Sequence, residues 1–332
     1  MTTSKDETNI ERVLQAVGAR VQPSEALTNQ VREAAREQWL AVVAERQAKR
    51  RRWLLLATAA SIAVTALAVW MGRFVTSPQA ILVASIARVS GHVEIAGTWG
   101  RSRPAVENQP LLSGEKLVTS MDGRAALALP NGISMRLDHN TRIEFADAHR
   151  ASMDSGGIYV DSPGVPTAER RLRIETPVGA VQHFGTQYEV RLASSAIQVR
   201  VREGRVALTP TQGILQSGIA GEQLTVGANG EVDRMNIDTH GAEWDWVANL
   251  APTMNIDGKP LVEFLSWVGR ELGEPVVFAN AGSEAEAGKV VLRGSVSGLS
   301  PQDALAAVLS TTRLRDADGG DGIVISLEDA RR

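Results

Sequence analysis

The pattern of hydrophobic and polar residues divides the chain into regions that differ in the spacing of their apolar residues. Residues 1–52 carry apolar side chains at helical spacing, and residues 53–71 form a run without a charged side chain. Short alternating segments separated by turn residues fill residues 80–235, which is typical of β-strands. After a linker at residues 236–249, residues 250–328 mix helical and strand patterns. The pattern therefore predicts a helical segment, one apolar helix, an all-β domain and a small α+β domain.

The uncharged run at residues 53–71 has the length of a transmembrane helix. At about 1.5 Å per residue it spans roughly 28 Å, close to the hydrocarbon thickness of a bilayer. Trp53 and Met71 mark its ends, and the residues directly before it are all basic: Lys49, Arg50, Arg51 and Arg52. Because basic residues stay on the cytoplasmic side, we predict that residues 1–52 are cytosolic and that residues 72–332 lie across the membrane. A cleaved signal peptide would instead occupy the extreme N-terminus, and a core helix is rarely apolar on every face.

The cytosolic segment predicts two short amphipathic helices separated by Pro23 and Ser24. The second helix begins near Glu25, and its apolar stripe includes Leu27, Val31, Trp39, Val42 and Val43. Two short helices bury little surface by themselves. Two interpretations stay open: the helices pack on each other or on the lipid surface, or the stripe binds a partner protein in a groove with Trp39 as its anchor.

Three turn signals within residues 80–235 predict β-hairpins. Alternating apolar residues flank Pro130-Asn131-Gly132 and Asn229-Gly230, and the Asn-Gly pair supplies the positive φ angles of a tight hairpin turn. A similar alternation flanks Glu203-Gly204, where Val206 and Leu208 are expected to return beside Val199 and Val201. Regular short strands joined in this way favour an antiparallel sandwich, a barrel or a short β-solenoid.

Composition excludes several classes of protein. The chain has 332 residues, a formal net charge of -3 and no cysteine, so thiolate catalysis and cysteine-ligated zinc are excluded and a bulk nucleic-acid role is disfavoured. The histidines show no metal-ligand spacing such as HExxH, and no Walker loop, GxSxG or dinucleotide motif is present. We therefore predict a protein that is not an enzyme and that binds no cofactor or metal.

An ordered series of motifs in the β-rich region resembles the FecR domain. The segment RIETPVG at 173–179 is followed by FGTQYEV at 184–190, VRVREGRV at 199–206 and AGEQL at 220–224. Upstream, LSGE at 112–115 and LPNG at 129–132 resemble the first half of that family. The turn chemistry of glycine and proline indicates scaffold positions rather than ligand contacts. These positions are Thr176, Pro177, Gly179, Gly185, Thr186, Glu203, Gly204, Gly221 and Glu222.

The C-terminal region predicts an α+β unit with the order helix, strand, strand, helix, strand. Pro260 opens a helix that Gly273 ends, and Ser300-Pro301-Gln302-Asp303 begins a second helix with an N-cap serine. Strands are expected at residues 275–279, 289–293 and 323–325, with a further first strand at 254–256. The unit resembles the small signalling domain of secretins and TonB-dependent transducers, which docks proteins and has no catalytic role. Trp244 and Trp246 in the linker are expected to pack it onto the β domain.

The resemblances imply a single-pass signal transducer of the bacterial inner membrane. In that role the cytosolic helices would bind an extracytoplasmic-function sigma factor, and the periplasmic part would sense a TonB-dependent receptor or another envelope protein. A different class of function also fits the sequence: an envelope scaffold, or a protein that binds polysaccharide or an assembly partner. Replacing Trp39 and Val43 with charged residues distinguishes the two, since sigma-dependent transcription should change in the first role alone.

Overall fold

The computed structural model describes residues 25, 29, 33, 64–67, 81–97, 100–164, 171–193, 196–318 and 322–327. The chain divides into two compact units, Met1–Gln79 and Ala80–Arg332. In the first unit, residues 25, 29, 33 and 64–67 are helical and exposed, in line with the predicted helical character. Within the described part of the chain, no helix is both long enough and apolar enough to cross a membrane. The described residues include four of the predicted apolar span, and leave out its two ends, the basic cluster and the predicted partner-binding stripe.

Among the described residues, seventeen strands build the β domain. They are β1 Leu82–Ser90, β2 Val93–Ala96, β3 Ser102–Pro104, β4 Pro110–Leu112, β5 Lys116–Thr119, β6 Arg124–Ala128, β7 Ser134–Leu137, β8 Arg142–Asp147, β9 Arg150–Asp161, β10 Arg173–Glu175, β11 Gly179–His183, β12 Gln187–Ala193, β13 Ala196–Glu203, β14 Arg205–Pro210, β15 Gln216–Ile219, β16 Glu222–Gly227 and β17 Val232–Asn236. The predicted all-β character of this region is confirmed.

The strands form two sheets that share β9. The first sheet has the order β4-β1-β6-β7-β9-β12-β13-β16-β17. The second has the order β3-β2-β5-β8-β9-β10-β11-β14-β15, in which the β9–β10 pair alone is parallel. Gly156, with a φ of 89°, stands where β9 passes from the second sheet to the first. A Cβ there would lie 2.4 Å from the Thr141 Cα, so glycine is required for the crossing.

The core of the β domain lies between the two sheets and is mostly aliphatic. Inward-facing positions alternate along each strand, as in Ile197, Val199 and Val201 of β13. Phe145 and Tyr188 are the large aromatic side chains of this cluster. The aliphatic core agrees with a composition in which aromatic residues make up 4%.

Two of the three predicted hairpins are confirmed and one is wrong. Strands β6 and β7 pair around the Pro130-Asn131-Gly132 turn, with Ala125 opposite Leu137. Strands β16 and β17 pair with Val226 opposite Val232. In contrast, β13 pairs with β12 and β16 in the first sheet, while β14 pairs with β11 and β15 in the second. Gly204, with a φ of 78°, turns the chain from one sheet to the other instead of back on itself.

The linker and the C-terminal unit carry the helices. A 3₁₀ turn at Ala242–Trp244 leads into α1 Asp245–Ala248. Then follow α2 Leu261–Leu272, β18 Val276–Phe278, α3 Ala281–Ala287, α4 Pro301–Leu309, β19 Leu314–Asp318 and β20 Ile323–Leu327. Strand β20 lies between β18, to which it is parallel, and β19, to which it is antiparallel.

The predicted ends of the two longer helices are confirmed. Helix α2 follows Pro260 and stops at Gly273, whose φ of 73° is left-handed. The Ser300 side chain accepts a hydrogen bond from the Asp303 N–H at the start of α4. Helix α3 was not predicted. Its buried residues are Ser283 and Ala287, so it has no apolar stripe that periodicity could show.

Two of the predicted strands of this unit are wrong. Residues 254–256 form no strand, and residues 289–293 reduce to one bridge between Pro260 and Val291. Hydrogen bonds join residues 289–293 to the residues just before α2 instead, from the Gly258 N–H to the Leu292 carbonyl and from the Leu261 N–H to the Val290 carbonyl. Pro260 and Val291 form a non-hydrogen-bonded pair, and the pairing ends there because the chain enters α2 at Leu261.

Candidate functional site

The predicted motif residues lie at turns and sheet crossings of the β domain. The Thr176 hydroxyl donates to the Gly179 carbonyl at 2.6 Å, which closes the turn between β10 and β11 around Pro177. Gly179 does not have a positive φ angle, so backbone conformation does not explain the glycine at this scaffold position. It is needed for space, since a Cβ there would lie 2.8 Å from the Thr209 carbonyl oxygen of β14.

Gly185 and Gly204 approach each other at the corner where strands change sheets. Both have positive φ angles, of 72° and 78°, and a Cβ on Gly204 would lie 2.3 Å from the Gly185 oxygen. The neighbouring Thr186 is buried, with a hydroxyl that has no protein hydrogen-bond partner among the described residues. Gly221 has a φ of 82° in the turn before β16, and the Glu222 carboxylate there accepts from the Ile219 N–H at 3.0 Å.

The outer face of the first sheet carries charged and aromatic side chains on its central strands. Outward positions on β7, β9, β12 and β13 face the linker and the C-terminal unit rather than open solvent. Six of the side chains at these outward positions are buried: Arg136, Tyr159, Asp161, Gln187, Glu189 and Arg202. We call these six residues the polar face. A charged face on central strands, with both signs present, is the sequence signal that could have drawn attention to it.

A buried ion pair joins the polar face to the end of α2. Arg136 is fully buried, and its Nη2 lies 2.5 Å from the Glu271 Oε2. Its Nη1 donates to the Val247 carbonyl at 2.8 Å, and its guanidinium lies 5.2 Å from the centre of the Tyr159 ring. A single arginine of β7 therefore holds both the linker and the C-terminal unit.

Trp244 of the linker lies against two arginines of β13. The guanidinium of Arg200 is 4.7 Å from the ring centre and that of Arg202 is 5.1 Å from it. The Trp244 Nε1 donates to the Asp238 carbonyl at 3.0 Å, and Tyr159 meets the indole edge-on at 6.1 Å. Trp244 is 2% exposed and packs on the β domain, while the prediction that the linker tryptophans also hold the C-terminal unit there stays a prediction.

Arg202 binds backbone carbonyls from both the linker and the C-terminal unit. Its Nε donates to the Thr239 oxygen at 2.6 Å and its Nη1 donates to the Glu271 oxygen at 3.0 Å. A Cβ on Gly273 would lie 2.1 Å from the Arg202 Nε. The glycine that ends α2 therefore also leaves room for this guanidinium.

Arg270 contacts the β domain through two carboxylates. Its Nη2 bonds Asp161 and its Nη1 donates to the Glu203 Oε2 at 2.8 Å, while its carbonyl accepts from the Gln187 Nε2 at 3.1 Å. Glu203 is one of the predicted motif positions, so its side chain makes a junction contact in addition to marking a turn. Hydrogen bonds to Asp161 raise the pKa of the Arg270 guanidinium against the opposing effect of burial.

A cleft of about 580 Å³ opens at this junction. One wall comes from the β domain, through Gln187, Arg202 and Glu203, and the other comes from α2 and β18. The apolar part of the cleft is lined by Val262, Leu265, Val276 and Phe278. The cleft therefore offers an apolar floor with charged groups at one end, which suits a peptide segment better than a small ionic substrate.

Asp138 forms a second ion cluster on the same sheet. Its carboxylate accepts from Arg124 Nε and Arg191 Nη2, both at 2.8 Å, and lies 2.8 Å from the His139 Nδ1. Burial opposes the charged form, but the bonds from Arg191 and Arg124 outweigh it and lower the pKa of Asp138 to about 2. The carboxylate stays ionised and paired at neutral pH, which suits a structural role.

No group of metal-binding side chains is present among the described residues. The His183 Nε2 accepts from the Leu172 N–H at 3.1 Å, and the ring stacks on Tyr188 at 5.7 Å. Burial lowers the pKa of His183 from 6.5 to about 4. His183 is fully buried in the β domain, away from the junction cleft, and the prediction that the chain is not an enzyme stays a prediction.

Comparison with known proteins gives one family match. Residues 115–207 match the family described as FecR protein. The matched residues run from the turn before β5 into β14 and include most of the motif series, so the resemblance to the FecR domain is confirmed over this part of the chain. No curated protein matches the chain.

Two crystal structures of a proposed anti-sigma factor from Parabacteroides distasonis ATCC 8503 are similar to this chain. One, at 2.50 Å resolution, is 17% identical, covers 64% of this chain and 98% of its own, and has a TM-score of 0.34. The other, at 1.65 Å resolution, is 16% identical, covers 63% of this chain and 97% of its own, and has a TM-score of 0.35.

Proposed function

We propose that this protein is an inner-membrane transducer that passes a periplasmic signal to a cytosolic extracytoplasmic-function sigma factor. The observation that carries the proposal is the FecR match at residues 115–207, on a β domain that follows the uncharged run at residues 53–71. The basic residues before that run favour a cytosolic location for the predicted N-terminal helices, which is where a sigma factor is found. Val64 and Leu67, within the run, are helical and expose their apolar side chains.

The role assigned to each part follows from its chemistry. The cytosolic segment offers an apolar stripe anchored by Trp39, which suits helix-in-groove binding to the sigma factor. The C-terminal unit is proposed to dock a TonB-dependent receptor or another envelope protein. The cleft between the β domain and the C-terminal unit supports this second role, because a partner bound there would contact residues of both parts.

A transcription assay in the native host tests the proposal. We expect Trp39→Glu in the full chain to change transcription from promoters of the cognate sigma factor at least fivefold, since a buried aromatic anchor contributes 2 kcal/mol or more, roughly, at many interfaces. Glu33→Gln is the matched control, because Glu33 is helical and exposed in the same segment. Unchanged transcription with Trp39→Glu, at equal protein level in the membrane fraction, would contradict the sigma-factor role and favour the envelope scaffold.

A further inference from the structure

The apolar cores of the β domain and the C-terminal unit are separate. The first cluster draws its residues from β1 to β16, and the second draws them from residues 256–325. A small third cluster of Tyr159, Trp244 and Val247 lies between them. Separating the two parts would therefore leave both main cores whole.

The contacts that cross the junction are mainly polar and directional. They include the Arg136–Glu271 pair, the bonds of Arg270 to Asp161 and Glu203, and the bond of Arg202 to the Glu271 carbonyl. Ion pairs like these lose much of their Coulombic gain to desolvation, because both charges leave water when they form. On opening, water would solvate every one of these groups.

The closed junction also buries donors that it does not satisfy. Arg136 Nε, Tyr159 Oη, Arg202 Nη2 and Arg270 Nε have no protein hydrogen-bond partner among the described residues. A buried unsatisfied polar group costs about 1–3 kcal/mol. These four atoms lie at one junction, so closure has a local cost that opening would relieve.

The linker has a short segment that could act as a hinge. Up to Val247 it is bound to the β domain, through Trp244 between two arginines and through the Arg136 bond to the Val247 carbonyl. From Met254 onward the chain packs into the core of the C-terminal unit. Residues 248–253 lie between these attachments, and Leu250 within them is 2% exposed.

We propose that the C-terminal unit is a releasable module in equilibrium between closed and open states, with residues 248–253 as the hinge and the Arg136–Glu271 pair as the latch. In the open state the end of α2 leaves the polar face, and Arg270 and Glu271 become accessible together with Leu250. Such a module supplies the two-state element that any signal through this domain needs. This equilibrium depends only on the contacts between the β domain and the C-terminal unit, so it does not require that a sigma factor is the cytosolic partner.

Limited digestion of the full-length protein with thermolysin tests the proposal. Thermolysin cuts before leucine, so cutting at Leu250 reports the open state, and its rate follows the open population when opening is fast. We expect Glu271→Gln to raise the rate of this cut at least tenfold, measured by mass spectrometry. Glu263→Gln is the matched control, because Glu263 lies on the same helix as Glu271 and forms an exposed pair with Lys259, just before that helix. The rate of the Glu263→Gln variant should stay within twofold of the unsubstituted chain.

A covalent tether provides the second arm of the test. The chain has no cysteine, so Glu203→Cys with Ser266→Cys places one reactive pair across the cleft that both residues line. Joining them with a short bismaleimide should suppress the cut at Leu250 in the Glu271→Gln background. A rate that Glu271→Gln leaves unchanged would overturn the proposal. Cuts appearing equally fast inside β12 and α4 would also overturn it, because they would show unfolding rather than opening.

Discussion

The Glu271 carboxylate at the end of α2 meets the fully buried Arg136 guanidinium of β7 at 2.5 Å, across 135 residues of sequence. No short-range pattern could have paired these two side chains. Their contact brings a helix of the C-terminal unit onto the outer face of a sheet that would otherwise be solvated. The pair is thus a direct, buried charged link between the β domain, which carries the family match, and the unit proposed to dock a partner.

Removing one member of this pair should be costly, and removing both should cost much less. We expect Arg136→Met to lower the free energy of unfolding by about 3 kcal/mol, because it leaves the Glu271 charge buried without a partner. Adding Glu271→Leu should recover more than half of that loss. Denaturant titration of the two single variants and the double variant gives the coupling.

The exposed pair of Lys259 and Glu263, at the start of α2, provides the control for this cycle. Lys259→Met should change the free energy of unfolding by less than about 0.5 kcal/mol, since Lys259 and Glu263 are both solvated. If the losses from Arg136→Met and Glu271→Leu simply add in the double variant, the two charges do not interact as the structure shows.

Two glycines with the same backbone angle should differ in their tolerance of alanine. Gly132 and Gly204 have φ angles of 80° and 78°, but a Cβ on Gly132 meets nothing within 4 Å, while one on Gly204 lies 2.3 Å from the Gly185 oxygen. Gly132→Ala should cost about 1 kcal/mol for the left-handed conformation. Gly204→Ala should cost at least about 2 kcal/mol more, because backbone must also move.

Thermal or chemical unfolding of the two alanine variants measures this difference directly. The energetic cost of a positive φ angle is common to both variants. The difference between their losses in free energy of unfolding therefore reports the close approach of Gly185 and Gly204 at the corner between the sheets. Equal losses would mean that the Gly185–Gly204 corner is not packed as described.

Stability should fall as the pH is lowered from 6.5 to about 4, because of His183. Its folded pKa of about 4 lies below the ordinary value of 6.5, so in this window the unfolded chain binds a proton that the folded chain excludes. The free energy of unfolding therefore rises with pH here, by up to about 3 kcal/mol across the window. The corresponding window for Asp138 lies lower, between pH 3.8 and about 2.

His183→Gln is the variant that tests this dependence. Glutamine can still accept the Leu172 N–H but does not titrate, so the slope between pH 4 and 6.5 should flatten even if the variant is less stable at pH 7. Denaturant midpoints at half-unit pH intervals provide the measurement. A slope as steep as that of the unsubstituted chain would assign the effect to other groups.

The elements that were predicted correctly are those whose position depends on a few neighbouring residues. The Pro130-Asn131-Gly132 hairpin and the two ends of α2 were predicted correctly because turn residues and caps determine them within a few positions. The same reasoning failed at Glu203-Gly204, where an identical alternation continues into the other sheet. At this corner the backbones of Gly185 and Gly204 approach closely, and this long-range contact is not visible in the local alternation.

The candidate site was harder to predict than the fold. The motif positions at Gly185 and Gly204 were recognised as places where the backbone bends, but the junction residues Arg136, Arg202 and Glu271 were not singled out. Their positions are ordinary for solvated strand and helix residues, and burial comes from the tertiary contact between them. The junction was anticipated through the linker tryptophans Trp244 and Trp246, because a large aromatic residue in a linker usually needs a surface to cover it. The charged outer positions of the central strands were a second signal, which was not used.

The most direct test of the central claim is a crosslinked pull-down of the full-length protein from native cells, read by mass spectrometry. We expect that a sigma factor is recovered, that Trp39→Glu abolishes its recovery, and that Glu33→Gln retains it. Recovery of envelope proteins without any sigma factor, with the full-length protein present in the membrane fraction, would contradict the account.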